Sequence, residues 1–184
     1  MISYNQAKKI LKSSKIIIQN ELIKSHHCLN RVAAEDILSR SNNPAGDNAA
    51  FDGYAINSKD TKKLNKKNSR FFKIIGTIAA GNKPLNKRLK KFQTVEIMTG
   101  GIIPKGLDSI IPVEQIIIQS SKNKNRNILI NRQIKKNQHV RFKGSDYKKN
   151  DLLIKKGTIL QSNHILALKT LGIKNIKVKK VPNI

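Results

Sequence analysis

The stretch between residues 71 and 130 most limits what this chain can fold into, because short apolar runs alternate there with turns. The runs are rich in β-branched residues and cover residues 71–79, 94–98, 109–113, 116–118 and 128–130. Glycine and proline separate several of them, as in Gly100-Gly101 and Pro104-Lys105-Gly106. Runs of this length between such turns are typical of β-strands. The sequence therefore predicts a small barrel or sandwich, in which residues 116–118 and 128–130 form a hairpin.

Helical patterns precede this β region. Ser3 and Gln6 form a capping box, and apolar residues then recur at helical spacing, so a helix is predicted over residues 3–18. A second helix is predicted to begin after Ser25, where apolar residues line one face. It should end before Pro44, because a residue that precedes proline is pushed out of helical conformation.

A mixed region follows the β region. Ser162 and Gly172 have the positions of a helix cap and of a C′ glycine, and residues 173–181 alternate as a strand with one exposed face. The predicted fold class is α+β, with N-terminal helices, an inserted β-barrel-like domain and a mixed α/β linker domain. The predicted domains are an N-terminal helix segment (residues 1–24), an elongated linker domain (residues 25–44 with 140–184) and an inserted β domain (residues 45–139).

The charge balance is strongly basic, with 37 Lys+Arg against 11 Asp+Glu and a formal net charge of +26 over 184 residues. Such a field attracts anions. The lysines are scattered through every segment, however, and aromatic residues make up only 4% of the chain, which leaves little base-stacking surface. Specific nucleic-acid binding is therefore not expected, and charge-driven, nonspecific RNA binding is the remaining alternative of that class.

Cellular location is constrained by two further features. Cys28 is the single cysteine, which rules out an internal disulfide and suits a reducing cytoplasm. No apolar run approaches the roughly 20 residues that span a bilayer, and the N-terminus lacks the pattern of a signal peptide. A soluble, cytoplasmic protein without membrane contact is expected.

The segment 47–55 contains two carboxylates and a turn glycine, Asp47, Asp52 and Gly53, among nearly apolar residues. Asp-Gly is a common hairpin turn, so one interpretation is structural. The other is functional: Asp52 presents its carboxylate to Mg²⁺ or to a metal-bound oxyanion, and Gly53 lets the backbone approach closely. Spacing alone does not choose between them.

A second candidate is the sequence Met98-Thr99-Gly100-Gly101, which ends a predicted strand. Its hydroxyl and flexible backbone amides would suit an oxyanion nest, although a plain tight turn explains the glycines as well. The nearby charges Lys105, Asp108 and Glu114 are expected to be solvated. Zinc binding by His26-His27-Cys28 is not expected, because adjacent residues do not converge on one metal.

Several linked motifs occur in one order along the whole chain. They are Leu29-x-Arg31-Val32-Ala33-Ala34-Glu35-Asp36, Pro44-x-x-Asp47-Asn48-x-Ala50-x-Asp52-Gly53-Tyr54-Ala55, Ala79-Ala80-Gly81, Ile97-Met98-Thr99-Gly100, Pro104-x-Gly106-x-Asp108, Pro112-Val113-Glu114, Gly144-x-Asp146 and Leu171-Gly172-Ile173. In this order they resemble the N-terminal part of the molybdopterin molybdenumtransferases, the bacterial MoeA and gephyrin E-domain family.

The resemblance implies a transferase of molybdenum cofactor biosynthesis. Enzymes of this family insert molybdate into adenylylated molybdopterin and release AMP, assisted by Mg²⁺, at a site shared between the subunits of a homodimer. Carried over by motif, Asp52 is a catalytic carboxylate and Mg²⁺ ligand, and Thr99 is a catalytic hydroxyl that donates to an oxyanion. Asp146 and Ser145 are the implied cofactor-binding residues, with Ser145 at a position where the family often has glutamate.

The resemblance also implies an incomplete site. The family's molybdopterin-binding domain, with its Gly-Asp-Glu-Leu and Ser-Gly-Gly-rich motifs, is missing from the 184 residues, and residues 1–24 pack on that domain in the family. The expected function is therefore the N-terminal half of the transferase, inactive alone. The alternative is a non-catalytic scaffold or dimerisation module derived from the family, and it would be indifferent to Asp52→Asn and Thr99→Ala.

Overall fold

The chain forms two compact units, one of residues 1–40 with 150–184 and one of residues 41–149. The structure is a computed structural model that describes residues 2–14, 17–83, 85, 88–120 and 126–182. Within these ranges, no helix has the length and apolar character needed to cross a membrane. The predicted division into three domains stays a prediction.

Short strands dominate the described secondary structure. In chain order the helices and strands are α1 (Tyr4–Ser13), β1 (Asn20–Lys24), β2 (Ile37–Leu38), β3 (Asn48–Ala49), β4 (Gly53–Ile56), β5 (Arg70–Ile78), β6 (Gln93–Ile97), β7 (Ser109–Pro112), β8 (Ile117–Ser120), β9 (Arg126–Ile130), β10 (Val140–Arg141), β11 (Leu152–Ile154), α2 (Ser162–Thr170) and β12 (Asn175–Lys179).

The first predicted helix is present but shorter than predicted. The capping box is confirmed: the Gln6 amide donates to the Ser3 hydroxyl over 3.3 Å, and the Ser3 amide donates to Gln6 Oε1 over 2.9 Å. Helix α1 ends at Ser13, and residues 17–18 are not helical. Residues 15–16 of the predicted helix lie outside the described residues.

The second predicted helix is wrong. After a 3-10 turn at Ser25–His27 and a second turn at residues 29–30, the chain forms isolated β-bridges and bonds to distant segments. The Ala33 amide donates to the Thr158 carbonyl over 2.9 Å, and the Ala34 amide donates to the Lys177 carbonyl over 3.0 Å. These long-range bonds replace the local bonds of a helix. Of the apolar residues with helical spacing, Ala33 and Ile37 belong to the core, whereas Leu29 is exposed.

The end of the first unit follows the prediction closely. Helix α2 is present, with Gln161 rather than Ser162 at its N-cap, and Gly172 follows it at φ +66° as a C′ glycine. Strand β12 pairs antiparallel with β1, and its buried and exposed residues alternate as predicted. Apolar side chains from both chain segments form one core, namely Cys28, Ala33, Ile37, Ile154, Leu160, Leu168, Ile173, Ile176 and Val178.

The second unit is built on a sheet whose described strands have the order β7-β4-β6-β5-β9-β8. Strands β5 and β6 are parallel, and the other neighbours are antiparallel. The predicted β runs and the β8–β9 hairpin are confirmed. The sheet curls into a half barrel, so the predicted mixed fold class is confirmed as well. One core cluster is formed around Tyr54 and Phe72, and another around Ala55 and Val95.

Strand β4 shows that the hairpin-turn interpretation of Asp52-Gly53 is wrong. Gly53 is the first residue of β4, and it pairs with Ile97 of β6 on one side and with Pro112 of β7 on the other. A Cβ atom at Gly53 would lie 2.0 Å from the Ile111 carbonyl oxygen. The glycine is therefore needed for the close approach of two strands inside the sheet.

The polar, lysine-rich segment 57–70 is anchored to the unit. Ser58–Thr61 forms a 3-10 turn, and Thr61 is fully buried. Asp108 fixes this turn with both carboxylate oxygens: Oδ1 accepts from the Ser58 amide over 2.7 Å, and Oδ2 accepts from the Ser58 hydroxyl over 2.8 Å. The prediction that Asp108 is a solvated charge is therefore wrong.

Asp108→Ala is expected to lower the free energy of unfolding by about 2 kcal/mol, because the buried Ser58 hydroxyl and its amide both lose their acceptor. Urea unfolding followed by circular dichroism measures the change. Glu114→Ala is the matched control, since Glu114 is an exposed carboxylate in the same unit. Equal losses for the two variants would contradict an anchoring role for Asp108.

Candidate functional site

The two motif residues Asp52 and Thr99 meet at one end of the sheet. Asp52 immediately precedes β4, and Thr99 lies just beyond β6. Because β4 and β6 are antiparallel, with Gly53 opposite Ile97, the start of one strand lies beside the end of the other. Asp52 Oδ1 accepts two hydrogen bonds from Thr99, one from its backbone amide and one from its hydroxyl, each over 2.7 Å.

These two bonds leave Asp52 as an exposed, ionised carboxylate with one available oxygen. The Thr99 backbone amide, and then the Thr99 hydroxyl, hold the pKa of Asp52 below its ordinary value, because both donate to the charged form. Both donors reach Oδ1, so Oδ2 has no hydrogen-bond partner among the described residues. The Asp52 carbonyl also accepts from the Val113 amide over 3.0 Å, which fixes the backbone.

Thr99→Val is expected to raise the pKa of Asp52 toward its ordinary value, because the hydroxyl bond is lost while the amide bond remains. An NMR titration of the Asp52 carboxyl carbon measures this. Because the pKa of Asp52 is lowered in the folded state, the ionised carboxylate stabilises the fold at pH values above its unfolded-state pKa. This stabilisation is lost as the pH falls through the folded-state pKa. The stability difference between wild type and variant should therefore shrink in acid.

Thr77→Val is the control for that titration. The Thr77 hydroxyl donates to a different carboxylate, Glu96 Oε2, over 3.0 Å. Thr77→Val should leave the pKa of Asp52 unchanged. An Asp52 pKa that responds equally to both substitutions would show that the Thr99 hydroxyl has no specific effect.

The oxyanion nest considered at Thr99-Gly100-Gly101 is not formed. The Thr99 amide donates to Asp52, the Gly100 amide donates to the Ala49 carbonyl over 2.9 Å, and the Gly101 amide donates to the Met98 carbonyl over 2.8 Å. All three amides therefore bond within the protein. The glycines serve to bring this turn against β3.

A pocket of about 170 Å³ opens beside Asp52, and Met98, Val113 and Glu96 are among its lining residues. Glu96 accepts from the Arg126 guanidinium over 3.1 and 3.2 Å. Burial alone would raise the pKa of Glu96, but the hydrogen bonds from Arg126 and Thr77 outweigh it and lower that pKa. This pair has no local signal in the sequence, because 30 residues separate its members and only the pairing of the strands brings them together.

The implied cofactor-binding residues form a separate cluster in the same unit. Asp146 Oδ2 accepts from Asn43 Nδ2 over 3.0 Å and forms an ion pair with Arg141. Ser145 is exposed, and its amide donates to the Phe142 carbonyl over 3.1 Å. Among the described residues, no hydrogen bond joins Asp146 or Ser145 directly to Asp52 or Thr99. Asn43 and Arg141 were missed, since neither carries a local signal in the sequence.

Residues 47–52 connect the two clusters. Asp47 Oδ1 accepts from the Lys143 amide over 2.8 Å, and the Ala50 amide donates to the His139 carbonyl over 3.0 Å. Strand β3 pairs with β10 on this side, and its Ala49 bonds to the glycine turn on the other. The start of segment 47–52 therefore holds the loop that carries Asp146, and the end of the segment positions Asp52.

The residues present fit a partial Mg²⁺ site. Mg²⁺ takes oxygen ligands and commonly uses one or two protein carboxylates beside water and substrate oxygens. Asp52 offers one ionised carboxylate with an available oxygen. The described residues contain no group of three or more His, Cys, Asp or Glu side chains able to hold a metal, so further ligands would have to come from elsewhere.

Comparison with known proteins points to one family. Residues 2–172 match the family described as MoeA N-terminal region (domain I and II). A molybdopterin molybdenumtransferase of Haemophilus influenzae is 34% identical over 178 residues, covering 96% of this chain and 42% of the relative. One of Staphylococcus aureus is 33% identical over 156 residues, covering 85% of this chain and 36% of the relative.

A solved structure shares the fold. The crystal structure of the molybdopterin biosynthesis moeA protein from Pyrococcus horikoshii OT3 superposes with a TM-score of 0.83 at 32% identity, covering 99% of this chain and 47% of that one. The chain thus spans less than half the length of these proteins. The matched region and the shared fold together show that the chain belongs to the MoeA N-terminal region family.

Proposed function

We propose that this chain supplies the Asp52–Thr99 half of the site of a molybdopterin molybdenumtransferase, which inserts molybdate into adenylylated molybdopterin and releases AMP. The observation that carries the proposal is the pair of hydrogen bonds from Thr99 to Asp52 Oδ1. They keep the carboxylate ionised and leave Oδ2 available. Family membership supports the same reaction class.

In the proposed site, Asp52 is the ligand that holds Mg²⁺ through Oδ2. The bound ion would neutralise charge on the oxygens of its anionic substrates. Thr99 orients Asp52 with two donors and preserves its negative charge. The net charge of +26 adds a general attraction for molybdate and for the nucleotide-bearing substrate.

The loop that carries Asp146 and Ser145 is proposed to bind the substrate. Their roles differ, because the Asp146 carboxylate is already engaged by Asn43 and Arg141. Asp146 would therefore hold the loop and the Arg141 guanidinium in place. The exposed Ser145 hydroxyl is the group free to contact substrate where relatives often carry an acidic side chain.

The rest of the site is proposed to come from a molybdopterin-binding domain that these 184 residues do not include. The support is coverage, since the chain spans 36% to 42% of the two transferases it matches. We further propose a cytoplasmic homodimer in which Asp52 of one subunit faces that domain of the other. On this proposal the 184 residues alone do not complete the reaction.

The experiment measures molybdate-dependent AMP release from adenylylated molybdopterin. The chain is assayed alone, and then with the part of the Haemophilus influenzae transferase that the match leaves out, which is also assayed by itself. Only the mixture should be active. Activity of the chain alone would contradict the divided site, and silence of a mixture that forms a complex would favour a non-catalytic scaffold.

A further inference from the structure

The two edges of the six-stranded sheet differ in how they are covered. At the β7 edge, the Ile110 amide donates to the Gln138 carbonyl over 2.9 Å, and the Ser109 hydroxyl donates to the Lys135 carbonyl over 2.9 Å. The strand ends in Pro112, which has no amide hydrogen to offer. This edge is closed to further strands, as edges of natural sheets commonly are.

The β8 edge has no such cover among the described residues. Strand β8 pairs with β9 on one side and is the last strand in the sheet order. In an antiparallel pair, every second residue directs its amide and carbonyl away from the partner strand. Ile117 and Ile118 are 66% and 40% exposed, so β-branched side chains border this open backbone.

An apolar row continues from this edge across the outer face of the sheet. Ile117 lies opposite Leu129 of β9, which lies opposite Phe71 of β5. Ile117 and Phe71 are 66% and 51% exposed, and Leu129 is half-buried. The next row behind it, Phe72 with Ile128, is fully buried and belongs to the core. The outer row therefore contributes little to the fold of this unit.

Charge indicates what would cover this surface. The exposed side chains beside this edge are basic, namely Lys73 on β5, next to the apolar row, and Arg132, just after β9. A second copy paired through this edge would bring the same basic side chains to it, and like charges disfavour such pairing. An acidic partner with alternating apolar residues would cover the apolar row and would be attracted by the positive charge.

We propose that the open edge of β8, with the row Phe71–Leu129–Ile117, docks an extended, acidic segment of another polypeptide. The segment adds a strand to β8 through backbone hydrogen bonds and places alternate apolar side chains on the row. Strand addition at a sheet edge is an established mode of peptide recognition. This inference does not depend on the transferase reaction.

The test uses the whole chain and a fluorescent peptide of about eight residues in which glutamate alternates with valine, long enough for one strand. Fluorescence anisotropy measures its affinity, and hydrogen exchange locates its site. Exchange of the β8 amides should slow at least about tenfold in the complex, and a peptide with lysine in place of glutamate should not bind. Part of the binding should persist at about 0.5 M salt, where charge attraction is largely screened.

Ile117→Lys separates docking from plain charge attraction. It adds a positive charge, so charge attraction alone predicts tighter binding of the acidic peptide. Docking on the row predicts affinity at least about tenfold weaker, which corresponds to ~1.4 kcal/mol. Leu22→Lys is the matched control, because Leu22 is 65% exposed on β1 of the other unit. It should bind as wild type does.

Three outcomes would overturn the proposal. The first is equal or tighter binding by Ile117→Lys. The second is protection of amides elsewhere than β8. The third is dimerisation of the free protein with protection of β8, which would assign the edge to a second copy.

Discussion

Gly53→Ala should lower the stability of the second unit by about 3 kcal/mol, at the upper end of the range for overpacked positions. The added Cβ would lie 2.0 Å from the Ile111 carbonyl oxygen and 2.8 Å from its carbonyl carbon. Both atoms belong to backbone that is held by strand pairing between β4 and β7. Neither can move without separating the two strands, so the clash cannot be relieved by a side-chain rotation.

Urea unfolding followed by circular dichroism measures this effect, and the midpoint is expected to fall by about 1 M or more. Gly46→Ala is the matched control in the same unit. Its Cβ would lie 3.4 Å from Ile102 Cγ2, an ordinary contact with a side chain that can adjust. That variant should change stability by less than about 1 kcal/mol. A Gly53→Ala protein as stable as the control would contradict the close approach of the strands.

Sequence patterns correctly predicted the elements whose signal lies among neighbouring residues. The β runs around Phe72 and Val95 were identified because β-branched and aromatic residues between turns favour strands whatever their partners. The capping box at Ser3 was found for a similar reason, since all of its atoms lie within four residues. Strand β12 was predicted from its alternation of apolar residues with lysine.

Patterns failed where distant partners decide the structure. The apolar spacing from Leu29 to Ile37 fits a helix, yet the backbone of Ala33 bonds to Thr158 and is extended. Gly53 fits a hairpin turn, yet it pairs between two strands. In both cases the deciding contact is with a residue far away in the chain, and local propensity does not include it.

The same limit applies to the candidate site. The resemblance assigned Asp52 and Thr99 separately, and their direct contact follows only from the register of β4 on β6. The resemblance implied that the Thr99 hydroxyl donates to an oxyanion of the substrate, whereas in the structure it donates to Asp52 Oδ1. Their catalytic roles, and the binding roles of Asp146 and Ser145, stay predictions until activity is measured.

Asp52→Asn should reduce molybdate-dependent AMP release by at least about 100-fold in the mixture with the complementing domain, or ~3 kcal/mol in the activation barrier. The asparagine side chain has the same shape, and its carbonyl oxygen can still accept both Thr99 donors. Its amide nitrogen would then take the place of Oδ2. The variant therefore keeps the fold but loses the charge and the oxygen proposed to hold Mg²⁺.

Asp60→Asn is the control for this loss of charge. Asp60 lies in the same unit and accepts from the Phe92 amide over 3.1 Å, a bond that asparagine can also make. Its activity should stay within about twofold of wild type, because this substitution removes the same charge at a residue that only fixes a turn. If the two variants are equally active, Asp52 is not a metal ligand in this reaction. If only Asp52→Asn is impaired, raising Mg²⁺ should restore part of its rate, since weakened binding of the ion is the expected cause.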